Sequence, residues 1–147
     1  MIAILAILST GTFVTISRIG YANTMKAAKS IDSTMSKLRL ETMTKEPKTY
    51  LYIYNKDEII YMKASNEEVD TDAHLDITTG KKVAQNTVLR YKVDFVVDTL
   101  KNDENICISF KKSSGAFVEN YEYIELVNTS KTATIICIQE TGGHWVE

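Results

Sequence analysis

Residues 1–17, MIAILAILSTGTFVTIS, carry no charge, and the first charged side chain of the chain is Arg18. Over residues 1–16 only Ser9, Thr10, Gly11, Thr12 and Thr15 interrupt the apolar character. A membrane-spanning helix needs about 20 such residues, so the run is slightly short. It continues into a second pattern. Ile19, Ala22, Met25, Ala28, Ile31, Met35, Leu38 and Thr42 recur at steps of three and four, with Lys26, Lys29, Asp32, Lys37, Arg39 and Glu41 between them. That is one apolar stripe on an otherwise polar helix. No Pro or Gly occurs between Gly20 and Pro47. The pattern therefore predicts one helix from Met1 to about Thr44, about 65 Å long. A helix of that length outreaches a compact domain of this size, so its first part is expected in a bilayer.

The 147 residues suffice for one domain with one core. Charge is unevenly spread. Residues 1–48 hold seven Lys and Arg against three Asp and Glu, a net of +4, and residues 49–147 hold ten against sixteen, a net of −6. The acidic part is poorly suited to gripping a phosphate backbone, which is held mainly by Lys and Arg. Cys107 and Cys137 lie in no CxxC motif and far in sequence from His74 and His144, which argues against zinc or thioredoxin chemistry.

After Pro47 the period changes to two. TYLYIYN (49–55) and EIIYMKA (58–64) read as a hairpin turned at NKDE. Residues 69–85 are polar and irregular. In NTVLRYKVDFVVD, the side chains of Leu89, Tyr91, Val93, Phe95 and Val97 alternate with Arg90, Lys92, Asp94 and Asp98, which predicts one strand with one wet face. ICISFKK, AFVENYEYIELVN and ATIICIQ follow as strands, and ETGGHWVE as a short closing one. The expected class is α+β: a long N-terminal helix, part membrane and part amphipathic, packed on an antiparallel sheet head of about six strands. The expected divisions are a membrane helix at 1–17, an amphipathic stem at 18–46 and the head at 47–147. Cys107 and Cys137, both in predicted strands, form a candidate disulfide if those strands are neighbours in register.

At this point the chain resembles a known family. MIAILAIL is similar to the middle of the prepilin N-terminal segment. The final stretch, from ISFKKSSG to IQETGGHWVE with its Thr141-Gly142, is similar to the head of the H-type, FimT-like minor pseudopilins. The family's Gly-Phe-Thr-Leu-Ile-Glu block has no match here, so its cleavage, methylation and acidic membrane positions are carried over to no residue; that block is expected to lie ahead of Met1. The resemblance implies a structural, non-enzymatic subunit of a type II secretion or type IV pilus filament. It would be held in the cell membrane by a single pass, with the head extracytoplasmic. It implies that Ile2, Ala3, Leu5, Ala6, Ile7, Leu8 and Phe13 pack in membrane and filament, and that Ile19, Met25, Ala28, Ile31, Met35 and Leu38 join stem to head. The implied partners are other pilin or pseudopilin subunits, the membrane and the pilus assembly machinery.

Other readings compete. Gly20-Tyr21-Ala22 offers a signal-peptide cleavage site, but no basic residue precedes the apolar run. VDTDAHLD, with Asp70, Asp72 and Asp76, has calcium-ligating residue types, but Leu75 and Lys81 stand where an EF-hand needs Gly and Glu. No metal or cofactor site and no catalytic constellation is expected. A competence-type minor pilin handling DNA is an alternative, not favoured because no Lys or Arg follows Lys131. A membrane-anchored extracytoplasmic binding domain is the other.

Overall fold

The computed structural model describes residues 2–44, 48–68, 80–129 and 131–147, with side-chain surroundings from Asn23 onward. The helix α1 is traced over Ile2–Thr44. Nine strands follow: β1 (Tyr50–Lys56), β2 (Ile59–Ser65), β3 (Lys81–Gln85), β4 (Val88–Val93), β5 (Val96–Thr99), β6 (Asn105–Ser109), β7 (Tyr121–Asn128), β8 (Lys131–Ile138) and β9 (Gly143–Val146). They form two antiparallel sheets, one of order β3-β2-β1-β6 and one of order β5-β4-β7-β8-β9.

The expected class needs correction. In place of a long helix, membrane part plus stem, on one sheet, the described side chains of residues 23–44 seat a shorter helical segment on the head, and the rest of the described chain is mostly strand in two sheets. The strand count rises for two reasons. The polar stretch 69–85 ends in the edge strand β3, and the alternating stretch 87–98 is a hairpin rather than one strand. In that hairpin Val93 pairs with Val96, leaving Asp94 and Phe95 as a two-residue loop with φ of 49° and 66°. Such a loop favours Asn-Gly. Phe95 is β-like in character, so nothing in the alternation marks the reversal. The β1–β2 turn, by contrast, falls at Asp57 and Glu58 within NKDE, where turn residues announced it.

One core joins the helix to both sheets. From α1 it takes Ala27, Ala28, Ile31, Met35 and Leu38; from the strands, residues such as Leu51, Ile53, Ile60, Ile108, Ile124 and Ile135. Thr24 and Thr42 are buried at the two ends of the stripe, and Met25 is only half-buried, so the packed face is turned slightly from the expected one toward Thr24 and Ala27. Ile19 and the membrane set Ile2 to Phe13 lie outside the residues whose side chains are described. Among the described residues no helix is long and apolar enough to cross a membrane. The acidic loop with Asp70, Asp72 and Asp76 also lies outside them.

Candidate functional site

The feature that organises the head is a junction where α1 meets the ends of both sheets. Ser109 closes β6, and Phe110 bridges to Phe117 across the loop 111–116. Phe117 N–H donates to Gln139 O (3.1 Å), which ties that loop to the β8–β9 turn. Arg39 on α1 then holds both loops. Its Nε donates to Gly115 O at 2.9 Å and its Nη2 to Thr141 O at 2.7 Å. The loops approach so closely that a Cβ on Gly142 would stand 1.8 Å from Gly115 O. Both glycines have φ of +67°, the left-handed region that favours glycine.

His144 completes the junction. Its side chain is only 4% exposed and lies beside the Phe110 and Phe117 rings. Nδ1 donates to Gly142 O at 2.9 Å, a carbonyl that can only accept. Nε2 faces Ser36 Oγ at 2.9 Å, Asp32 O at 3.2 Å and Asp32 Oδ1 at 3.8 Å. The sequence offered His144 only as part of a short closing strand; its side chain is a buried bolt between β9 and α1.

Ser, His and Asp side chains meeting invite a hydrolytic reading. The connectivity opposes it. A nucleophile relay needs the serine on one ring nitrogen and the carboxylate on the other, so that the carboxylate orients the base. Here Ser36 and Asp32 both face Nε2, and a backbone carbonyl holds Nδ1. The ring joins two elements, and on Nδ1, where a relay needs an orienting carboxylate, it meets a neutral backbone carbonyl.

Cys107 and Cys137 are in no disulfide. β6 pairs with β1, whereas β8 pairs with β7 and β9, so the condition set for the candidate bridge, neighbouring strands in register, is not met. Burial pushes the Cys107 thiol from 9.0 up to about 11 and the Cys137 thiol from 9.0 up to about 12. Both stay protonated near neutrality, and thiols react as thiolates. Alkylation at pH 8 is therefore expected to be slow in the folded chain and fast in urea. The unfolded chain binds fewer thiol protons above about pH 9, so folding stability is expected to fall from there toward pH 11. A urea titration at pH 8 and pH 10.5 reads this; equal midpoints would contradict it.

Two surfaces stand out among the described residues. One is a groove of about 480 Å³ between α1 and β3, with Lys26, Ser30, Lys81, Lys82 and Gln85 on its walls. The other is the β4–β5 tip, where Phe95 is 81% exposed, Val96 62% and Val97 56%. Among the described residues no group of three or more His, Cys, Asp or Glu could hold a metal. The junction formed by Arg39, Gly115, Gly142 and His144 escaped the sequence reading; the Gly142-Gly143 pair is the signal that could have marked its turn. The chain matches no protein-family model, no curated protein and no solved structure.

Proposed function

We infer that the chain is a structural subunit of a pseudopilus or type IV pilus-type filament, resembling the H-type minor pseudopilins. The supporting observation is the seating of α1. One stripe of residues 24–42 is buried among both sheets, and Arg39 and His144 bolt the loops and the last strand to the same helix. A head fixed rigidly to a helix transmits displacement of that helix, as a fibre subunit must. In this reading the apolar residues 1–17 hold the subunit in the membrane and later pack against neighbouring subunits. That transfer exchanges one apolar environment for another, so it leaves Leu5, Ile7 and Phe13 out of water. The head faces the extracytoplasmic side and selects its neighbours. The role requires no cofactor and no catalysis.

Membrane fractionation of cells making the full chain tests the reading. The chain is expected to stay in the membrane pellet after an alkaline wash, with the head open to protease added from outside. Recovery as a soluble protein with a new N-terminus after Ala22 would overturn it in favour of a secreted domain.

A further inference from the structure

These two surfaces are complementary, and the fold sets them apart. The groove wall is basic. Among the described residues, Lys81 Nζ reaches Ser30 Oγ (3.3 Å) and Lys82 Nζ reaches Gln85 Oε1 (2.6 Å), both neutral acceptors. A shallower recess of about 320 Å³ continues from it past Lys81 to Lys63. Among the described residues no Asp or Glu lines either space. The ion pairs seen between described residues include Lys56–Asp103, Lys92–Glu122, Lys101–Glu104 and Asp32–His144, and none of these four takes a groove lysine. Half-buried Val83 and Ala84 give the groove an apolar floor.

The β4–β5 tip is the reverse. Its sequence is Asp94-Phe95-Val96-Val97-Asp98, all exposed. Lys92 lies near the Phe95 ring, but its charge is paired with Glu122 at 2.6 Å, so the tip is acidic and apolar. It is also unrewarded within the chain. Phe95 sits at φ 66°, a conformation strained for a residue with a Cβ, while its ring and two valines lie in water. Strand β5 edges one sheet and β3 the other. Exposed apolar edge strands pair with other chains unless they are guarded.

Strand β4 separates the two surfaces. Thr87, just before it, lines the groove, and Asp94, just after it, opens the tip. Seven residue steps of strand hold them about 20 Å apart. The tip is thus out of reach of the groove's Thr87 end on its own chain.

We propose that the β4–β5 tip of one copy docks in the α1–β3 groove of a second copy. Asp94 and Asp98 meet Lys26, Lys81 and Lys82, and Phe95 and Val97 cover Val83 and Ala84. Tip and groove are different surfaces, so the contact either repeats from copy to copy as a row or, made reciprocally, closes a two-fold dimer. This rests on the filament reading and adds a head-to-head contact to it.

Sedimentation velocity on the full chain in mild detergent tests the contact. Association is expected to grow with concentration and to weaken about tenfold between low and high salt. Lys81→Glu with Lys82→Glu, and separately Asp94→Lys with Asp98→Lys, each weaken it about tenfold, and the chain carrying all four changes regains it. Phe95→Gly weakens association while raising the urea midpoint, because glycine relieves the strained turn. Circular dichroism verifies that each variant folds. Absence of self-association, or association indifferent to the charge swap, overturns the proposal. So does a groove that instead binds short duplex DNA through Lys81 and Lys82 with no self-association. Cross-linking of residues 1–17 to other pilin-like subunits reads the filament reading independently, so it can stand where this contact falls.

Discussion

Replacing Gly142 with Ala is expected to lower the stability of the chain by about 3 kcal/mol, the sum of a left-handed backbone penalty and a displaced neighbour. Gly142 has φ of +67°. Its absent Cβ leaves room for Gly115 O, which would otherwise lie 1.8 Å away, and for Arg39 Nε at 3.0 Å. The obstructing atom is backbone, which cannot swing aside as a side chain would. Relief requires the 111–116 loop and the β8–β9 turn to part, and Arg39 then loses its grip on Gly115 O or Thr141 O. His144 hangs from the same turn through Gly142 O, so β9 loosens with it. Urea unfolding of the full chain measures the loss. A Gly142→Ala chain as stable as the parent would mean that the junction does not hold the head together.

Met35→Ala is the second large effect, expected at about 3 kcal/mol. Met35 is fully buried on the stripe that includes Ile31 and Leu38, where α1 meets β7 and β8. Truncation leaves a cavity that sheet residues on one side and a helix bolted by Arg39 and His144 on the other cannot readily collapse. Limited proteolysis reads how far the loss spreads. Because one core joins the helix to both sheets, cleavage is expected to open helix and sheets together. Cleavage confined to residues 23–44 with the sheets intact would show that α1 is carried on the core rather than integral to it.

Much of this architecture is legible in the sequence where local pattern and final environment agree. Steps of three and four in 25–42 place Ala28, Ile31, Met35 and Leu38, all of which are buried. Alternation places Ile106, Ile108 and Phe110 inward, and all three are buried. The failures occur where a distant partner decides the outcome. Alternation says which residues share a face but not which sheet a strand joins, so Cys107 and Cys137 could be set near each other on paper and fall in different sheets. The reversal at Asp94-Phe95 breaks no pattern, because Phe is not a turn residue; its strain is visible only in the backbone. The junction is harder still. Arg39 looks like one charge on a helix's wet face, and His144 like a polar tail residue, until the chain brings together positions 102 and 112 apart.

The filament reading stands or falls on what residues 1–17 touch. A photo-crosslinking amino acid placed at Ala6 of the full chain, activated in the cells that make it, reports this directly. The reading predicts adducts with small pilin-like subunits, reduced when the assembly machinery is disabled. Recovery of the chain without adducts, folded and with position 6 still attached, would contradict it.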